Sequence, residues 1–273
     1  MEDTILTIRG LKKTYGGPSY ALKGVDISFK RGEFVVIIGP SGAGKSTLVR
    51  CINRMVDPSE GEIIFDGIHM ENLKGKALRQ RRADIGMIFQ HYNLVGRVNV
   101  IKNILYGRLG KMHAAASLLG LFKREDRLEA FELIKKVGLD AEMYKRADSL
   151  SGGQMQRVGI CRAILQHPTL LLADEPIASL DPASAGIVMG EIRAAADEKK
   201  LTCIVNLHQV EYAKRYADRI IGIKDGLVVF DGTKADLTTE ILSHIYQGKE
   251  DQMGDTSGQA NNNPAETGEL LYA

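Results

Sequence analysis

The chain has 273 residues, 44% of them hydrophobic, with 36 basic against 34 acidic side chains. This is ample apolar content for one large or two small domains, and the near-even charge gives no reason to expect nucleic acid or an anionic surface as the main partner. Cys51, Cys161 and Cys203 are scattered, odd in number and without a C-x-x-C pair, which suits reduced cytoplasmic thiols and neither a disulfide framework nor a zinc site.

The first elements alternate apolar and polar residues, over Thr4 to Arg9 and again over Val25 to Lys30, which predicts half-exposed antiparallel strands. Phe34-Val-Val-Ile-Ile38 is apolar throughout and predicts a buried strand. Leu48, Val49, Ile52 and Met55 follow at helical spacing. Between them runs Gly39-Pro40-Ser41-Gly42-Ala43-Gly44-Lys45-Ser46-Thr47. Gly39, Gly44, Lys45 and Ser46 meet the pattern G-x-x-x-x-G-K-[ST], and strand, glycine loop and helix are the setting a P-loop requires. Such a loop turns backbone N–H groups inward around phosphates, with the lysine reaching the β- and γ-phosphates and the hydroxyl of Ser46 available to Mg²⁺. A nucleoside triphosphate is the expected ligand.

Gly61 to Gly67 reads as a short strand between turn residues. From about Gly96 to Leu150 the pattern is helical; Leu128, Phe131 and Ile134 recur at three-residue spacing and Gly138 stands where a C-cap belongs. Leu150-Ser151-Gly152-Gly153-Gln154 then opens a helical stretch from Met155 to Leu165, with apolar residues at 158, 160, 163 and 164. The first N–H groups of a helix lack internal partners, so this is a second anion site. One nucleotide in one fold rarely needs two, and the economical reading is that this loop meets a nucleotide held by a second copy of the chain. Leu170-Leu-Leu-Ala173 is a short apolar strand ending in Asp174-Glu175. There one carboxylate can hold Mg²⁺ and the next can polarise an attacking water, although two adjacent acids elsewhere would be an ordinary solvated strand end. Strands and helical stretches alternate onward, and Ile220 to Phe230 predicts a hairpin around Asp225-Gly226.

None of the longer apolar runs approaches the roughly 18–20 residues of a membrane span, and Met1-Glu-Asp-Thr lacks the basic-then-apolar start of a secretory leader. The chain is expected to be soluble by itself and to reach a membrane process only through a separate partner. The segment after Gly248 is rich in Asn, Gly, Ser and acids, with Lys249 set against Glu250, Asp251, Asp255, Glu266 and Glu269; a disordered acidic tail is expected over 249–273. Internal repeats are not evident.

The pentapeptide Leu150–Gln154 is the signature of the ATP-binding-cassette (ABC) family, which the chain resembles from about Ile5 to Gln247. The resemblance implies an α/β fold of the P-loop NTPase, ABC ATPase type, with an antiparallel β subdomain and an inserted helical subdomain. It makes 1–248 the ATP-binding domain, with the helical part at about 96–165. It implies that Asp174 is the Walker B aspartate and Glu175 the general base. Gln90, in Met87-Ile-Phe-Gln90, matches the glutamine that contacts Mg²⁺ or the attacking water and senses the membrane partner. His208 matches the histidine that touches the γ-phosphate, Asp181 in Ser179-Leu-Asp181 the loop that crosses to the facing subunit, and Tyr15 the ring stacked on adenine, a role for which a merely structural tyrosine is the alternative.

Within the family, Cys51-Ile-Asn-Arg54, Phe89-Gln-His-Tyr-Asn-Leu94, Gly107-Arg-Leu-Gly110, Ser117-Leu-Leu-Gly-Leu-Phe122, Leu172 to Asp181 and Asn206-Leu-His-Gln-Val210 are similar to the ATPase subunits of bacterial phosphonate importers. That resemblance implies two copies sandwiching ATP and Mg²⁺, integral membrane permease subunits, an extracytoplasmic substrate-binding protein, no nucleic acid, and a peripheral place on the cytoplasmic face of the bacterial inner membrane. An importer ATPase for a polar amino acid or phosphate, and a cassette ATPase of a soluble enzyme complex, are the alternatives.

Overall fold

The computed structural model describes residues 4–17 and 19–247; the tail expected over 249–273 lies outside them. The two leading strands, β1 (Thr4–Thr14) and β2 (Tyr20–Lys30), pair antiparallel and run further than the alternating segments that announce them. With β4 (Glu60–Phe65) and β5 (Ile68–His69) they form a four-stranded sheet in the order β2-β1-β4-β5.

The second sheet holds β3 (Phe34–Ile38), β6 (Ile85–Ile88), β7 (Leu170–Asp174), β8 (Thr202–Asn206), β9 (Arg219–Lys224) and β10 (Leu227–Gly232), in the order β10-β9-β3-β8-β7-β6. Five of these run parallel, while β10 folds back on β9. The turn between them is the expected one, with Asp225 at φ +49° and Gly226 at +81°, the left-handed pair that matches strand twist.

Uninterrupted apolar strands mean a sheet covered on both faces. Phe34, Val36 and Ile38 of β3 enter one core while Val35 and Ile37 enter the other. The first core is closed by helices: α3 (Val100–Leu105), α5 (Arg124–Lys136), α6 (Gly152–Leu165) and α7 (Pro182–Lys199) all bury residues in it. The second is closed by the antiparallel sheet and α1 (Lys45–Ile52). Four short helices complete the fold: α2 (Gly75–Arg82), α4 (Ala114–Leu118), α8 (Val210–Tyr216) and α9 (Thr239–Tyr246).

Two helix expectations need correction. Leu48, Val49 and Ile52 are buried on α1, but the helix ends at Ile52 and Arg54 turns left-handed (φ +54°), leaving Met55 half exposed beyond it. In α5 the core face is Ala130, Leu133 and Ile134, continued by Val137 just past the helix, and Leu128 is 55% exposed. A strict three-residue repeat drifts around a helix of 3.6 residues per turn, so it cannot mark one face for long. Gly138, at φ +64°, does follow the helix end.

All three cysteines are free and buried. Burial pushes the Cys51 thiol up to about 11, and those of Cys161 and Cys203 higher still, so none carries thiolate at neutral pH.

Candidate nucleotide site

The carboxyl ends of β3, β7 and β8 open on one edge of the parallel sheet, where crevices in such folds take ligands. Residues 39–44 fill the turn from β3 into α1. Glycine is needed at both of its ends for space as well as conformation. A Cβ on Gly39 would sit 2.0 Å from the carbonyl oxygen of Ile223, and one on Gly44 (φ +105°) 2.4 Å from that of Ala21. The loop backbone therefore lies directly on neighbouring backbone, with the amino end of α1 behind it. Only glycine allows that approach, and a glycine-rich loop at the amino end of a helix is a setting in which backbone N–H groups bind phosphates.

Lys45 is buried, and its Nζ donates to the carbonyls of Gly39 (2.8 Å) and Pro40 (3.0 Å). Burial lowers its pKa, with Glu175 and Asp174 pulling the other way. The same ammonium lies 3.4 Å from Nδ1 of His208, whose Nε2 is 2.7 Å from a Glu175 carboxylate oxygen. Residues 45, 175 and 208, far apart in the chain, thus make one continuous polar line along the loop. Glu175 takes φ +51°, a conformation that costs a non-glycine residue roughly 1–3 kcal/mol and marks places where surrounding structure dictates geometry.

What holds Glu175 there is Asn206, the last residue of β8 and in register with Asp174. Its Oδ1 accepts from the Glu175 backbone N–H, and its Nδ2 donates to Asp174 Oδ1 at 2.7 Å and to Ser46 Oγ at 3.3 Å. Ser46 and Asp174 therefore lie side by side around one amide. Arg50, from the next turn of α1, pairs with the other Asp174 oxygen at 2.9 Å. Sequence reasoning missed both Asn206 and Arg50. The available signal for the first was an amide directly after the apolar, buried run Cys203–Val205; for the second there was none.

The remaining candidates divide. Tyr15 is 63% exposed and its hydroxyl lies 3.3 Å from Thr47 Oγ1, with the Lys13 ammonium over its ring. Gln90 follows the end of β6, beside β7, and among the described residues it makes no hydrogen bond to Ser46 or Asp174. Ser151 caps α6 through a reciprocal capping box with Gln154, which leaves the Gly152 and Gly153 N–H groups pointing out of the helix end. Asp181 caps α7, accepting from Ala183 and Ser184, and the Ser184 interaction holds its carboxyl below the usual range. Gly153 packs against Ser184, and Gly152 against Tyr92 and Leu180. The Ser151–Gln154 loop thus neighbours the Asp181 loop.

A fold of this kind with this site defines an ATP-binding cassette ATPase, and the ABC transporter family profile matches residues 22–178: the chain belongs to that family. The chain is 52% identical over 243 residues to the phosphonates import ATP-binding protein PhnC 2 of Halalkalibacterium halodurans, covering 89% of this chain and all of that one. It is 53% identical to the protein of the same name from Oceanobacillus iheyensis, covering 89% and 96%, and 50% to the phosphonates import ATP-binding protein PhnC of Treponema denticola, covering 87% and 93%. Among solved structures it is similar to a dimeric bacterial ABC transporter cassette (TM-score 0.76, 34% identity, 84% of this chain and 99% of that one). The dimeric post-hydrolysis cassette bound to ADP and Pi is comparable (0.75, 34%, 84% and 99%). The fold class and the ATPase activity expected from the sequence are borne out.

Proposed function

We propose that this chain is the ATPase subunit that energises a phosphonate importer, peripheral on the cytoplasmic face of the membrane. The observation that carries the catalytic part is the convergence of Lys45, His208 and Glu175 beside the P-loop, with Ser46 and Asp174 gathered around Asn206. In this reading Gly39–Thr47 wrap the phosphates and Lys45 pairs with the β- and γ-oxygens. Glu175 takes the proton of the attacking water, His208 stabilises the γ-phosphate and orients the base, and Tyr15 offers its exposed ring to adenine. Ser46 and Asp174, adjacent hard oxygen donors, would hold Mg²⁺, with Gln90 approaching on closure; the ion supplies charge neutralisation at the transferred phosphoryl group.

Ser151–Gln154 and the Asp181 loop lie beside each other. We place them against the nucleotide of a second copy, which the dimeric state of the similar cassettes supports. A donor supplied across the dimer is missing until closure, so hydrolysis is coupled to movement of the permease subunits docked near Gln90–Leu94. Among the described residues no helix is long and apolar enough to cross a membrane; in this reading permease subunits form the pathway and an extracytoplasmic substrate-binding protein delivers the cargo. Phosphonate as cargo is supported by the 50–53% identity to the phosphonates import ATP-binding proteins over almost the whole of their length.

A strain lacking this gene and any second phosphonate importer is expected to stop growing on a phosphonate as sole phosphorus source and to grow normally on phosphate. Restoration should need intact Lys45 and Glu175. Undiminished uptake of labelled phosphonate by the deletion strain would remove the cargo assignment and leave the ATPase untouched.

A further inference from the structure

Gln90 sits inside a turn closed by the Tyr92 N–H donating to the carbonyl of Phe89 at 3.3 Å. The two residues that leave the turn, Tyr92 (φ +56°) and Asn93 (φ +48°), are both left-handed and neither is glycine. Two adjacent non-glycine residues in this region persist only where something outside the turn holds them. The holder is Arg162 of α6. Its NH1 donates to the Asn93 carbonyl at 2.6 Å and its NH2 to the Tyr92 carbonyl at 2.9 Å. Burial lowers the pKa of this guanidinium, with no carboxylate acting against it, and its side-chain hydrogen bonds among the described residues go to those two carbonyls.

Tyr92 is pinned at its other end as well. Its carbonyl passes 3.8 Å from where a Cβ on Gly159 would stand, and its hydroxyl 2.8 Å from where one on Gly152 would stand. The side chain therefore lies lengthwise along a glycine-lined face of α6, from Arg162 back to the first glycine of the Ser151–Gln154 loop. A side chain on Gly152 would push it off.

We infer that Arg162 is a positioning residue for ATP hydrolysis, clipping the Gln90 turn onto α6 so that Gln90 and the Ser151–Gln154 loop move as one piece. This rests on the roles given to those two segments above. The substrate-side groups Lys45, Ser46 and Glu175 do not touch the clip, so nucleotide affinity and turnover separate. Lysine at 162 keeps the charge but presents one ammonium where two forked N–H groups are needed. Glycine at 93 takes the left-handed conformation without strain and lessens the need for the clip.

The test uses the full chain and three readings: kcat for ATP, Kd for a fluorescent ATP analogue, and melting temperature. Arg162→Lys is expected to lower kcat about ten-fold with Kd unchanged, and Asn93→Gly added to it to recover several-fold of the loss. Because a buried change can damage folding, Asn93→Val is made separately: position 93 is exposed, and a β-branched residue there opposes the turn alone. It should lower kcat several-fold at an unchanged melting temperature. Parental kcat in both Arg162→Lys and Asn93→Val overturns the inference. So does loss of nucleotide affinity in step with kcat, or an Arg162→Lys defect that Asn93→Gly leaves unrepaired. Glu175→Gln run alongside reports on the site itself: if it turns over like the parent, the base assignment fails whatever the clip variants do.

Discussion

Replacing Asn206 by leucine tests whether the active carboxylates are held by the strand between them and the P-loop. Asn206 is fully buried, and its amide serves Asp174, Ser46 and the Glu175 N–H. Leucine keeps the branched shape but is larger, and it has neither donor nor acceptor. Losing a donor to an ionised carboxylate costs ~1.5–3 kcal/mol, and leaving the Glu175 N–H without its acceptor adds ~1–3 kcal/mol. Burying the apolar side chain returns about 1 kcal/mol. The net is about 3 kcal/mol of stability, a drop of roughly 6–12 °C in Tm for a domain of this size. Turnover should fall further than stability explains, by about 10²-fold or more, because the backbone turn at Glu175 (φ +51°) loses its anchor and the base drifts from the water it must polarise. Denaturant unfolding followed by circular dichroism, and steady-state ATPase at a temperature well below either midpoint, give the two numbers. A variant with parental midpoint and parental turnover would refute the reasoning.

Two further outcomes follow from the geometry. Mixing inactive Lys45→Ala chains with inactive Ser151→Ala chains should return part of the ATPase activity, because a mixed dimer has one composite site with both defects and one intact; no return while mixed dimers demonstrably form would exclude independent sites shared across chains. Glu191, on α7, has a buried oxygen without a hydrogen-bond partner among the described residues, and burial raises its pKa from 4.5 to about 7 against the pull of Arg157. The folded chain therefore binds this proton more tightly than the unfolded one, and stability falls as pH rises from about 4.5 through about 7. Glu191→Gln should match the parent near pH 4.5 and exceed it at pH 8 by about 1–2 kcal/mol, discounted for the partial exposure of the group. A difference in unfolding free energy that is the same at both pH values would remove the role given to burial here.

Much of the nucleotide site is legible from local chemistry. The P-loop declares itself because close backbone approach demands glycine at fixed places, and β3 and β7 because a strand buried on both faces cannot afford polar residues. The β9–β10 turn is readable from Asp225-Gly226 alone. What the sequence hides is long-range and particular. Asn206 becomes significant only once β8 stands in register beside β7, bringing an amide to Asp174 and Glu175 from far along the chain. Arg50 is one basic residue on a helix until that helix is laid against the end of β7. Leu128 and Met55 mislead for the opposite reason: apolar residues at near-helical spacing do not reveal where a helix stops or which way its stripe turns. Arg162 is equally mute, since its partners are main-chain carbonyls that any residue could offer.

The three cysteines give the molecule internal clocks. Each is buried, free and held protonated, and each belongs to a different part of the machine: Cys51 to the helix behind the phosphate loop, Cys161 to α6, and Cys203 to the central strand β8. A thiol of that kind is alkylated only when its own surroundings open. The labelling rate of each sulfur therefore times the breathing of its own element, and nucleotide or a partner subunit would slow each clock according to how tightly it closes that element.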